Sequence, residues 1–199
     1  MSLSDRTLFT AEPIEIKRDE ALRALDGAVA RLRPADLADP ALPAKLVERL
    51  LPRPPRLGAR VRYRLFEVET GGRDDDPGPG RWGAGLEATL RFYGAADYFG
   101  LRAGTQPLHP PVGAISGRRL TLTVIDTDGS DDLVERMDAQ LETVRRELEE
   151  QRRRCAGMRE TLEAAAKRLV SDRRKRIAVL AGAAGVLSAR GWLAEGRRA

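Results

Sequence analysis

His109 is the only histidine in the chain, so there is no histidine cluster for zinc and no histidine dyad. Flanked by Leu108 and by Pro110 and Pro111, it reads as a packed or surface residue rather than a general base. Asp74, Asp75 and Asp76 could in principle hold a divalent cation, but calcium loops space their acids at alternate positions and close on a distal Glu, and neither feature is present. They read as solvated charge. Ser116 and Ser130 have no second residue to activate them as nucleophiles and read as a turn and a helix cap. Gly182, Gly185 and Gly191 follow no strand, so a phosphate-cradling loop is not supported. Cys155 is the single cysteine; it excludes an internal disulfide, fits a reducing compartment and reads as a small buried hydrophobe rather than a reactive thiol. No catalytic, cofactor-binding or metal-binding residue is assigned, and the chain is not read as an enzyme. An enzyme would need a pocket gathering Tyr63, Asp97, His109 or the acidic run.

Charge recognition by arginine is the chemistry that remains. Arg152, Arg153 and Arg154 form one run and Arg173, Arg174, Lys175 and Arg176 a second, and both are candidate anion contacts. The chain holds 35 Lys and Arg against 30 Asp and Glu, a net charge of only +5. Its basic residues are scattered or paired along a helix, and no aromatic-studded basic strand appears, so nucleic-acid binding through the arginine-rich part of that helix is the alternative reading.

The element that must position both runs spans residues 130–176. With Val134 at position a of a heptad, the following a and d positions are Met137, Leu141, Val144, Leu148, Gln151, Cys155, Met158, Leu162, Ala165 and Leu169. Only Gln151 is polar, and the 3.5-residue period is that of a coiled-coil seam. Val134, Met137, Leu141, Val144, Leu148, Met158, Leu162 and Leu169 are the candidate interaction seam. Ser130 is a natural N-cap, with Asp131 and Asp132 at the positive end of the helix dipole. Acid-first pairs four apart recur, among them Asp132 with Arg136 and Glu150 with Arg154, each adding about 0.3 kcal/mol. Unbroken, at about 1.5 Å per residue, the helix would run roughly 70 Å and need a helical cover. Residues 131–150 hold eight acids and three bases, residues 151–176 three acids and ten bases. Antiparallel pairing therefore sets acidic against basic halves, either in a hairpin turning near Gly157, where a glycine costs about 1 kcal/mol inside a helix, or in a dimer; the need of one small β core for a local lid tilts the reading to the hairpin, and a straight helix that tolerates Gly157 is the alternative.

Upstream, residues 14–33 keep helical apolar spacing and end at Pro34, and a second helix is expected after Asp39 as cap, with Pro40 in its first turn. From Ala59, Val61, Tyr63 and Leu65 alternate with arginines before Phe66 and Val68 take over the apolar role, which suggests a bulge or strong bend near Leu65. Residues 71–85 read as a mobile surface loop. Leu86, Ala88, Leu90 and Phe92 mark a half-buried strand, residues 94–104 a turn with a short helical piece, and residues 118–126 another strand after a turn at Ser116 and Gly117. Residues 177–193 are expected to prolong the helix briefly and then dock on the protein. The fold class is α+β: a small antiparallel sheet with N-terminal helices and a long C-terminal coiled-coil-like helix or helical hairpin. The segments are an N-terminal helical part (1–58), a β-rich core (59–129) and a helical arm with an apolar docking tail (130–199).

A strand ending in Phe92, then Gly94 and Asp97 with Tyr98, Phe99 and Leu101, then Pro110 and Pro111, then Gly117 with Leu120, Leu122 and Val124, and a long helix closing on Arg173 and Arg174, resembles a group of uncharacterised bacterial proteins common in actinobacteria. The likeness covers roughly residues 60–180. Gly185, Val186 and Leu187 lack the proline of the Leu-Gly-x-Pro segment that ends such proteins. The resemblance implies a recurrent scaffold accompanying effector domains of bacterial conflict systems, and no functional residue is carried over. The leading expectation is thus a non-enzymatic interaction or scaffold protein, working through its helical arm on a protein partner or a second copy of itself. No secretory signal and no apolar run long enough to span a membrane are read, a membrane-surface role for the second basic run is the weaker reading of it, and a cytoplasmic location is expected.

Overall fold

A computed structural model describes residues 6–70, 81–104, 109–126 and 132–192. Asp74, Asp75, Asp76, Ser130 and Asp131 lie outside the described residues. The chain forms two compact units, one of Met1–Ile16 with Arg53–Cys155, the other of Lys17–Pro52 with Ala156–Ala199.

The first unit carries the antiparallel sheet of the expected α+β fold. Its strands are β1 (Arg6–Thr7), β2 (Arg56–Thr70), β3 (Arg81–Tyr93), β4 (Val112–Ser116) and β5 (Arg119–Asp126), in the order β1-β4-β5-β3-β2. Alternation makes β3 and β5 two-faced: Leu86, Ala88, Leu90 and Phe92 point with Leu120, Leu122 and Val124 into one core. Gly117 closes the β4–β5 turn at φ 56°, a left-handed conformation that glycine adopts without penalty. Leu8 and Phe9 follow β1 into the core, and Phe99, on the 3-10 turn Ala96–Gly100, meets the Phe92 ring edge-on at 5.0 Å.

Two strand expectations need correction. Pairing of β2 with β3 is regular from Val61 to Thr70, and the irregularity falls between Leu57 and Val61 instead of near Leu65. The change of apolar parity arises because the two faces of β2 do different work. Phe66 lies over Gly85, where an added Cβ would sit 2.4 Å from the ring, and the Arg64 guanidinium stacks 5.4 Å above that ring. Val61, Tyr63 and Leu65 share the core-side face but stay 40%, 76% and 65% exposed at the sheet edge. Likewise Arg81–Gly85 is strand rather than loop, because these residues pair with Phe66–Thr70. Gly85, one of the glycines that signal a loop here, makes room for an aromatic ring.

The long helix α3 covers Leu133–Ala189 without a break. The turn expected near Gly157 is not formed: a Cβ there would meet nothing within 4 Å, so the glycine costs helix propensity and nothing in packing. In the first unit α3 lays Met137, Leu141, Val144 and Leu148 on the sheet. Gln151, fully buried, donates from Nε2 to the carbonyls of Tyr98 (2.9 Å) and Leu101 (2.7 Å), satisfying acceptors of the 3-10 turn.

The second unit is a helical cluster. Its members are α1 (Ile16–Ala30), α2 (Leu42–Leu50) and the later turns of α3. Ala21, Leu25 and Val29 of α1, Leu37, and Leu46 and Val47 of α2 share a core with Leu162, Ala166 and Val170. The second helix begins at Leu42 with Ala41 as N-cap and Pro43 in its first turn, two residues later than expected. Asp39 still organises the entry, accepting from the Ala41 amide (2.8 Å) and the Lys45 ammonium (2.7 Å), which hold its carboxyl below the usual aspartate range.

Candidate interaction surfaces

The expected seam is covered within the chain. Met137, Leu141, Val144, Leu148, Met158 and Leu162 are buried, Leu169 is partly buried, and Val134 is 63% exposed. Past Leu162 the buried positions become Ala166 and Val170 rather than Ala165 and Leu169. A straight helix of 3.6 residues per turn drifts about 20° per heptad against a 3.5 repeat, so a seam read in heptads slips by one residue when no supercoil follows it. The cover is a sheet in one unit and two short helices in the other, so the antiparallel helical partner that the charge split suggested is not what buries the seam. Asp132–Arg136 and Glu150–Arg154 form as expected, at 3.7 and 3.2 Å.

The helix arginines hold the chain together locally. Arg152 pairs with Glu149 and donates to the Pro55 carbonyl, Arg153 pairs with Glu150, and Arg154 bonds Glu15 at 2.8 Å. Arg173 donates to the Leu32 carbonyl, and Arg174 to those of Leu37 and Asp39. Lys175 and Arg176 are exposed. A hollow of about 860 Å³ is lined by Arg56, Arg145, Arg146, Arg152 and Arg153, but Glu142 and Glu149 also line it and pair with two of the bases.

Cys155 is 2% exposed, and burial with the nearby Glu15 charge pushes its thiol up from 9.0 to about 11. The folded value lies above the unfolded one, so the thiol form contributes stability below about pH 9 that is lost as pH rises through about 11. Iodoacetamide at pH 8 is expected to leave the native chain unlabelled and to modify it fully in denaturant; fast native labelling would show an accessible thiolate. Ser116 and His109 are exposed, as are Tyr63 and Asp97. His109, Tyr63 and Asp97 line none of the hollows described here, and Ser116 lines only one, of about 400 Å³, beside Arg91 and Arg119. Among the described residues no group of three His, Cys, Asp or Glu could hold a metal ion.

Two surfaces escape the sequence reading. The first is the outer face of the sheet. Arg62 of β2 stands opposite Thr89, and Arg91 of β3 directly opposite Arg119 of β5. Thr89 and Thr121 bring their hydroxyls within 3.4 Å between them. A hollow of about 510 Å³ is lined by Arg60, Arg62, Arg91, Arg119, Tyr93 and the glycine and alanine of the β2 irregularity, and a second of about 400 Å³ shares Arg91, Tyr93 and Arg119. The alternation of arginines in residues 60–64 was visible; that three strands bring their arginines together depends on register, which it does not encode.

The second surface is the end of α3. Of residues 177–193, Ile177 packs against the core of the second unit, but the docking expected of the rest does not occur in the described part, which is helical to Ala189, with Val179 71%, Leu180 66%, Val186 55% and Leu187 38% exposed. These four, with Ala183 between them, fall at i, i+1, i+4, i+7 and i+8, a single apolar stripe. Ala178, Ala181, Gly182, Gly185 and Ala189 form the opposite, small-residue face. No described helix is long and apolar enough to cross a membrane.

The chain matches no family model, no curated protein and no solved structure with which it was compared.

Proposed function

We propose that the chain is a non-enzymatic interaction protein that self-associates through the last turns of α3. The observation that carries this reading is the uncovered stripe of Val179, Leu180, Ala183, Val186 and Leu187, of the width by which helices bury themselves on a partner. A twofold pairing of two such stripes satisfies both at once. Burying a Val or Leu contributes about 1.5–3 kcal/mol, and the four from each of two copies together exceed an association cost of about 4–15 kcal/mol by roughly the 8 kcal/mol of a complex in the micromolar range. On the resemblance of residues 60–180 to bacterial scaffold-like proteins, the role proposed is in a conflict system, and cysteine usage supports a cytoplasmic site of action.

Light scattering on a size-exclusion column tests it. A dimer is expected at about 100 µM, converted to monomer by Leu180→Asp with Leu187→Asp at unchanged circular dichroism, because these side chains are already exposed in the protomer. Lys175, Arg176 and Arg190 flank the stripe, so copies repel and association should tighten with salt. A monomer at that concentration in 0.5 M salt would falsify self-association.

A further inference from the structure

We propose that the outer face of the sheet binds single-stranded nucleic acid, with phosphates along Arg62, Arg91 and Arg119 and a base stacked on Tyr93. This site is separate from α3, and its arginines differ from those of the helix in having no local employment. Arg152, Arg153, Arg154, Arg173 and Arg174 are tied to carboxylates or carbonyls, whereas Arg60, Arg62, Arg91, Arg118 and Arg119 form no ion pair among the described residues. Neighbouring Arg64 shows the contrast, since it has both Glu87 at 3.0 Å and the Phe66 ring.

Arg91 directly opposite Arg119 is a like-charge cross-strand pair, which destabilises a sheet. A polyanion laid across the strands reverses the sign of that interaction. Adjacent strands lie about 4.8 Å apart, and Arg62 faces Thr89, two residues along β3 from Arg91, so the arginines of β2, β3 and β5 form an oblique row on the face rather than a point. The two hollows that share Arg91, Tyr93 and Arg119 extend that row, giving a track suited to a chain of phosphates more than to one anion. The floor is narrow and polar: the Thr89 and Thr121 hydroxyls lie between the arginines, and at Gly58 a Cβ would already stand 3.2 Å from the Arg91 carbonyl oxygen. Tyr93 is 57% exposed beside the guanidiniums. An aromatic face set among arginines on an open sheet accepts an unstacked base, which a duplex does not present.

Fluorescence anisotropy of a labelled twelve-nucleotide dT or rU strand with the full chain tests the proposal. Three phosphate contacts on a single strand predict a Kd about 20-fold weaker at 200 mM than at 50 mM salt. Arg91→Gln with Arg119→Gln should weaken binding at least about tenfold and flatten the salt slope, while Lys175→Gln with Arg176→Gln should leave both unchanged. Tyr93→Ala should cost about tenfold for the oligonucleotide and nothing for inorganic polyphosphate. Arg119→Glu should abolish binding yet raise Tm by about 2 °C, since it replaces the repulsive pair by an attractive one. That rise also shows that lost binding is not lost fold. No binding at 50 mM salt would overturn the proposal. So would indifference to the sheet arginines, an unchanged affinity in Tyr93→Ala, or equal binding to a duplex, to polyphosphate or to anionic vesicles.

Discussion

Leu148→Asp is expected to unfold the sheet unit. Leu148 is fully buried in the cluster formed by the sheet and the first turns of α3. The substitution removes about 1.5–3 kcal/mol of side-chain burial, leaves a cavity, and places a carboxyl where no partner can reach it. Together these exceed about 5 kcal/mol, comparable with the whole stability of a domain. The readout is loss of dispersed amide signals for β3 and β5. Leu162→Asp should do the same to the helical unit, whose core holds that residue. Val134→Asp, at the same heptad position but 63% exposed, should change stability by less than about 0.5 kcal/mol. If Leu148→Asp kept a folded sheet and only dissociated an oligomer, the seam would be an interface between chains after all.

Gln151→Glu should cost nearly as much at neutral pH, and recover part of it in acid. The amide Nε2 donates to the Leu101 carbonyl and to that of Tyr98, which also accepts from the Leu101 amide at 3.1 Å. An ionised carboxylate has no donor to offer and faces two acceptors, so about 1–3 kcal/mol is lost for the orphaned Leu101 carbonyl beyond the burial of the charge. Burial and the carbonyls favour the protonated acid, raising its folded pKa above the unfolded glutamate value near 4.3. Stability is then highest below about pH 4.3 and falls as pH rises through the folded pKa. Urea midpoints across pH 4–8 should decline with pH in the variant relative to the parent; a parallel pair of curves would mean that the side chain reaches water. Gln151→Leu should cost less than Gln151→Ala, because both remove the Oε1 acceptor that has no partner among the described residues but only leucine fills the space.

What could be read from sequence divides along a physical line. The strands through Phe92 and Asp126 announce themselves because one face is buried from Leu86 to Phe92 and from Leu120 to Asp126. β2 shows its alternation but not its faces, because its core-side Val61, Tyr63 and Leu65 stay exposed and an exposed Tyr63 or Leu65 looks no different in sequence from a buried one. The acid-to-base split of α3 was a sound signal attached to the wrong receiver. Its basic half meets Glu48 through Arg159 at 2.9 Å and the Leu32, Leu37 and Asp39 carbonyls through Arg173 and Arg174. Gly157 suggested a turn because its intrinsic cost was counted, while the favourable packing of α3 on either side was not. The sheet arginines were hidden for another reason: Arg62, Arg91 and Arg119 are far apart in the chain and become neighbours only through strand register.

Neither unit is a continuous stretch of chain, and both depend on α3. On a ribosome, which releases the N-terminus first, the sheet must wait for Met137 to Leu148 and the α1–α2 pair for Leu162 to Val170 before either core can close. The early helices therefore emerge with Leu25, Val29, Leu46 and Val47 unprotected, and the strands with their apolar face bare, until one late helix reaches both. Nascent chains stalled before residue 133 should be clients of holding chaperones, and a premature stop within α3 should deprive the cell of the helical unit even where the sheet survives.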